Sequence, residues 1–173
     1  MKPYPVPLAR TLLALLLVAA CSTPGRHRQR DRLERERRAS AGLQAAEAFW
    51  DDLSHARIDE LAAHYAPEVR VRASSEALKP EWGLAKERGR DAVVERDALV
   101  DVYRRMIGKI GAERWTQIFA SLPAEGRGVT LEERDGRLVV CVLVEAGEGD
   151  DRFLFWLRES PDGWRVFEEE ADY

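Results

Sequence analysis

Residues 129–169, VTLEERDGRLVVCVLVEAGEGDDRFLFWLRESPDGWRVFEE, decide the fold. Four β-rich runs, Val129–Arg134, Arg137–Glu145, Arg152–Glu159 and Trp164–Glu169, are separated by Asp135-Gly136, by residues 146–151 (AGEGDD) and by residues 160–163 (SPDG). Asp-Gly between alternating hydrophobes is a strong hairpin signal, because both central residues of such a turn need a positive φ. The pattern predicts a four-strand antiparallel meander. Parity then assigns faces. Leu138, Val140, Val142 and Val144 share one side of their strand, and Val139, Cys141 and Leu143 the other; Phe153, Phe155 and Leu157 likewise oppose Leu154 and Trp156. A sheet covered by helices on one side only should leave its other face polar. Here both faces are apolar, so something must cover the second. Two covers stand open: a second copy of the chain, meeting it across Leu143, Leu154, Trp156 and Phe167 to form a homodimer, or the loop around Trp82 folded over the sheet.

Toward the N-terminus the period changes from two to about 3.6. Leu43, Ala46, Phe49, Trp50 and Leu53 predict an amphipathic helix over Ala41–Ser54. A shorter helix is expected over Arg57–Tyr65, burying Ile58, Leu61, Ala62 and Tyr65 and stopped by Pro67. Glu68–Arg72 (EVRVR) alternates and reads as a strand. Leu78–Gly89 reads as a loop around Trp82, and Val93 and Val94 as the start of a short strand. Asp97 is placed as the N-cap of a helix burying Leu99, Tyr103, Met106, Ile107 and Ile110. A further turn is expected to carry Trp115, Ile118 and Phe119. Together these elements predict one α+β domain over residues 39–173, with N-terminal helices packed on a bent antiparallel sheet.

Upstream, composition shifts twice. Lys2 and Arg10 precede the apolar run Leu12–Ala20, which is well short of the roughly 20 residues a membrane-spanning helix needs. It ends in small residues, as a cleaved secretory signal does. Residues 22–38 hold seven arginines against Asp31, Glu34 and Glu36, and Leu33 is their only sizeable apolar side chain. They therefore read as a solvated tether, with opposite charges four apart, such as Arg32 and Glu36, supporting partial helix. From Ala39 onward 18 basic side chains face 28 acidic ones. An acidic body argues against nucleic-acid binding, which needs a basic face.

Val18-Ala19-Ala20-Cys21 resembles the bacterial lipobox, whose cysteine is diacylated on sulfur and becomes the mature N-terminus. The resemblance implies residues 1–20 as signal peptide, lipidation at Cys21 and attachment to a membrane. With Ser22 rather than aspartate next, it implies the outer membrane, facing the periplasm. The only other cysteine, Cys141, lies in an apolar run and reads as a small core hydrophobe.

The body resembles the nuclear transport factor 2-like superfamily, which includes SnoaL-like cyclases and ketosteroid isomerases. Three stretches carry the likeness: AEAFWDDLSHARIDELAAHYAPEVRV, ERDALVDVYRRMIGKI and DRFLFWLRESPDGWRVFEEE. The resemblance implies a cone-shaped α+β barrel with a pocket between helices and sheet. Superfamily members include enzymes, pocket binders and assembly domains, so fold alone leaves the activity open.

Acid–base work on a carbonyl compound needs a carboxylate or histidine in an apolar pocket with a donor such as tyrosine opposite. The candidates are His64, Tyr65, Tyr103 and Asp101, and each also has an ordinary structural explanation. Tyr65 and Tyr103 fall on apolar stripes, which places them in the core with hydroxyls at its rim. Asp51 and Asp52 are expected to face solvent. The late strands offer only Glu145, Glu159, Glu168, Glu169 and Glu170, all near their ends. Trp82, Trp115, Tyr65 and Tyr103 are candidate pocket-lining residues. No metal-ligand or phosphate-loop pattern is present, so neither metal nor cofactor is expected. The expectation is a lipid-anchored envelope protein whose domain binds a small apolar ligand or another protein without catalysis. A SnoaL-like isomerase, dehydratase or hydrolase and a purely structural homo-oligomer stand beside it.

Overall fold

The computed structural model describes residues 24–73, 91–120, 127–145 and 152–172. Residues 1–23, which include the expected signal peptide and Cys21, and Trp82 lie outside the described residues. The chain divides into two compact units, Met1–Arg38 and Ala39–Tyr173. In order, the elements are α1 (Pro24–Ser54), α2 (Ile58–Ala62), β1 (Tyr65–Ala73), β2 (Asp91–Glu95), α3 (Arg96–Ile110), α4 (Ala112–Ala120), β3 (Arg127–Arg134), β4 (Arg137–Glu145), β5 (Arg152–Ser160) and β6 (Gly163–Asp172). Among the described residues, no helix is long and apolar enough to cross a membrane.

The meander forms as expected, β3 to β6 pairing antiparallel in sequence order. Asp135 and Gly136 take φ values of 52° and 72°, the left-handed conformation the hairpin required. β1 adds to β6 in parallel and β2 closes the other edge, giving the order β2-β1-β6-β5-β4-β3. The two end strands are not paired with each other, so the sheet is open rather than a closed barrel.

Several expectations are corrected. The first helix begins at Pro24, because the alternating charges of residues 24–38 support a helix without an apolar face. Its buried positions in the body are Gly42, Ala46, Phe49, Trp50, Leu53 and Ser54, and Leu43 is 38% exposed. The second helix stops at Ala62; Tyr65 and Pro67 belong to β1. Val166 N–H donates to the His64 carbonyl at 2.7 Å, which draws the chain into the sheet before the proline is reached. Pro67 is tolerated there because the β1–β6 register shifts between Tyr65 and Arg70, and a strand proline needs such an irregularity. Asp97 sits in the first turn of α3 and Glu95 is its N-cap, without a side-chain cap bond. Ile110, expected in the core, is 37% exposed, since the face of α3 turns away from the core there.

The inner face of the sheet carries the core. One row across it reads Val142, Phe155, Glu169, Val71 and Ala92. A β-bulge sets this row: Trp156 pairs with Glu168 and Leu157 with Val166, leaving Phe167 as the extra residue of β6. The bulge keeps Val166 and Glu169 on the same face although three positions separate them.

The outer face is roofed in part by its own side chains. The row Thr130, Cys141, Trp156, Glu168 and Arg70 crosses its middle. Arg134, from β3, reaches over β4 to lay its guanidinium 4.0 Å from the Trp156 ring centre, and Arg158 lies 4.6 Å over Phe167. Val139 and Cys141 beneath are 2% and 4% exposed. Leu143, Leu154, Trp156 and Phe167 are each half-buried. Thus the apolar stripe is roofed in part by arginine stems, which bury their methylenes while keeping charge near water. Burial and the nearby Glu132 push the Cys141 thiol up to about 12, so it behaves as the core hydrophobe expected of it.

Candidate functional site

Three polar groups meet where the inner face of the sheet faces α3. Tyr65 opens β1 on the inner side, Tyr103 lies on the buried stripe of α3, and Glu169 is brought inward by the bulge. Tyr65 donates its hydroxyl to Glu169 Oε1, and Tyr103 donates to both carboxyl oxygens at 3.1 Å. Glu169, Tyr65 and Tyr103 are 1%, 1% and 5% exposed. The two phenol rings stack with centroids 6.3 Å apart, and Phe49 and Trp115 meet them edge-on. Loss of water around the carboxyl pushes Glu169 up to about 7, although both tyrosines pull it down. The same burial, with Glu169 beside it, drives Tyr65 well above the ordinary phenol range.

A second cluster fastens the α1–α2 corner. His64 Nε2 donates to Asp52 Oδ2 at 2.7 Å, and Arg57 Nε donates to Asp52 Oδ1 at 2.6 Å. Arg57 also pairs with Asp51. Asp52 is therefore not the solvent-facing acid expected: its side chain is 15% exposed. Burial raises its carboxyl, but the hydrogen bonds from His64 and Arg57 outweigh burial and hold it below the usual range. A carboxylate lowered in the folded state adds stability above its unfolded pKa and loses it as pH falls through the folded value. Asp52→Ala is therefore expected to cost about 1–2 kcal/mol at pH 7. The deficit should shrink toward zero below pH 3, as followed by urea unfolding; a pH-independent deficit would refute the ion-pair account.

Of the other candidates, Asp101 is exposed and pairs with Arg104 one turn on. Trp115 lies in α4. It is 5% exposed, and its indole N–H donates to the Leu53 carbonyl at 2.8 Å, tying α4 to the end of α1. The tyrosine hydroxyls are not at the core rim but deep in it. Sequence reading passed over Glu169 because strict alternation from Trp164 puts it on the outer face. Among the described residues, no group of three or more His, Cys, Asp or Glu is placed to hold a metal ion. An open cleft lined by Pro67, Glu68, Glu95, Arg96 and Asp97 lies at the start of α3 and includes none of the candidate residues.

No family model matches this chain, and no curated protein does. Solved structures similar to it include a nuclear transport factor 2-like protein with a cystatin-like fold from Novosphingobium aromaticivorans, 13% identical, covering 83% of this chain and 86% of that one at TM-score 0.48. A nuclear transport factor 2-like protein of unknown function from Shewanella oneidensis is 8% identical over 77% of this chain and 97% of that one, TM-score 0.48. A SnoaL-like protein of unknown function from Burkholderia thailandensis is 13% identical over 78% and 95%, TM-score 0.47. The described residues of this chain form helices packed on a curved six-stranded sheet.

Proposed function

We propose that the protein is a lipid-anchored component of the bacterial envelope, acylated at Cys21 and held at the outer membrane facing the periplasm, with a non-catalytic binding domain as its body. The observation that carries the non-catalytic reading is the closure of the Glu169 cluster. An acid or base must reach a substrate proton directly or through one water. Glu169 is 1% exposed, and its oxygens already accept from two tyrosines. A polar group satisfied in this way orders a core and fixes how its elements pack. The anchor rests on the lipobox-like Val18-Ala19-Ala20-Cys21 behind its apolar run.

Two measurements test the proposal. Wild type is expected in the membrane fraction and in the detergent phase on partitioning, and Cys21→Ser is expected without lipid, uncleaved or released from the membrane fraction. A Cys21→Ser protein that partitions like wild type removes the anchor. The second measurement titrates the protein with 2-naphthol, a planar phenol that an accessible carboxyl–tyrosine site would hold. Trp115, 6.5 Å from the Tyr103 ring, reports entry through its fluorescence. No saturable change is expected. Saturable quenching that disappears in Glu169→Gln would replace this reading with the isomerase or dehydratase one.

A further inference from the structure

β3 is an end strand of the sheet, paired among the described residues with β4 alone. The two-residue turn between them makes Arg134 and Arg137 a hydrogen-bonded pair, and such pairs alternate along an antiparallel ladder. Glu132 and Thr130 therefore bond to β4, whereas the N–H and C=O of Val129 and Leu131 point away from it. The side chains of Val129 and Leu131 lie on the inner face, in register with Val142 and Val140. Those two partners are fully buried, yet Val129 and Leu131 are each 41% exposed. The core rows thus run out at an apolar strand edge with outward-pointing backbone groups, the usual template for adding a strand. β3 carries neither a proline nor a bulge, two of the devices that blunt such an edge.

We infer that β3 pairs antiparallel with β3 of a second copy about a two-fold axis through Thr130, joining two sheets into one. The order of side chains selects this occupant. Only registers that set odd-numbered residues against odd-numbered ones use the outward groups of both strands. Centred on Thr130, such a register sets Val129 against Leu131 and Arg127 against Glu133 on the inner face. Apolar residues meet apolar ones and each charge meets its opposite, which are the favourable cross-strand pairs. On the outer face Thr130 meets its own copy and Glu132 meets Gly128. Centred on Leu131 instead, the strands would set Val129 against Glu133 and lose the match. The other end strand is built the opposite way: about Val93, β2 would set Asp91 directly against Glu95, like charges that oppose pairing. A strand that is its own antiparallel complement suits an isologous contact, in which both copies use the same surface.

The test uses the full chain in a neutral detergent, where sedimentation is expected to show a dimer. Leu131→Pro should leave a folded monomer. The N–H it removes points away from β4, so the ladder within the chain survives while the joint loses a bond in both copies. Thr130→Cys places two thiols at the axis; it is made with Cys141→Ala, because Thr130 already faces Cys141 across β4. The Cα atoms of such a non-hydrogen-bonded pair stand about 4.5 Å apart, within reach of a disulfide. Mild oxidation should convert this variant to a covalent dimer on a non-reducing gel. Glu132→Cys in the same background should stay monomeric, since its copy lies roughly 14 Å away along the strand. Should Leu131→Pro prove unfolded by circular dichroism, the two cysteine variants decide alone. A monomeric wild type, or Thr130→Cys that cross-links no better than Glu132→Cys, overturns the inference. A dimer that survives Leu131→Pro but is split by Trp156→Arg places the second copy on the outer sheet face and overturns it as well.

Discussion

Glu169→Gln is expected to make the protein more stable than wild type at neutral and alkaline pH, by roughly 3 kcal/mol above pH 7. Burial raises the Glu169 carboxyl from 4.5 to about 7 in the fold. The folded state then holds this proton more tightly than the unfolded one. Below pH 4.5 both states are protonated and the group makes no pH-dependent contribution. As pH rises from 4.5 through about 7 the unfolded chain ionises first, and wild type loses stability across that window. Above it the loss is complete. Glutamine keeps the shape and an acceptor for a tyrosine hydroxyl but never ionises, so the variant should run flat through the window and match wild type near pH 4. Glu169→Ala should behave oppositely. It leaves a cavity and removes the acceptor from two buried hydroxyls, for a cost of about 3–5 kcal/mol at pH 5. Denaturant melts at pH 4, 5, 6, 7 and 8 decide the matter. Wild type and Glu169→Gln falling in parallel with pH would sink it.

The second large effect lies at Gly42, where α1 meets the sheet. A Cβ there would stand 2.8 Å from Val140 Cγ2 and 2.9 Å from Trp164 Cζ2. Neither neighbour has room to give, since Val140 is fully buried and Trp164 is 6% exposed. Gly costs a helix interior about 1 kcal/mol relative to Ala. Gly42→Ala should nonetheless destabilise, by about 1–2 kcal/mol net, because overpacking a filled core outweighs that gain. Gly42→Leu cannot be absorbed by a small shift and should remove most of the cooperative unfolding transition. Gly108, which has nothing within 4 Å of its Cβ position, is the control: Gly108→Ala should stabilise by up to about 1 kcal/mol. If Gly42→Ala stabilises as much as Gly108→Ala, the close approach of α1 to β4 and β6 is wrong.

How far the sequence could be read depended on the range of the physics involved. The meander was legible because each hairpin is specified locally, by two-residue periodicity and by the residues Asp135, Gly136 and Gly163 that accept positive φ. The amphipathic runs of α1 and α3 were legible for the same reason. Element ends were less so, since the stop of α2 depends on a hydrogen bond from Val166, more than a hundred residues away. The Asp52–His64 pair joins residues across a corner whose geometry no periodicity encodes. The roof over the second sheet face was anticipated as a need. The share of it that Arg134 and Arg158 supply was not, because arginine at a strand position is ordinarily read as a solvated charge. Tyr65 and Tyr103 were singled out as candidates, but Glu169, the group that joins them, was hidden by one irregular residue.

That residue bears on how such chains are counted. Phe167 acts as an inserted letter in β6: remove it, and Val166, Glu168, Glu169, Glu170 and Ala171 alternate without interruption. A related strand built without the insertion would present its inward acid two positions after the valine rather than three. Alignments that allow no gap within this strand would then match Glu168 to the wrong partner and set Glu169 against an outward side chain. The buried acid would look absent from relatives that possess it.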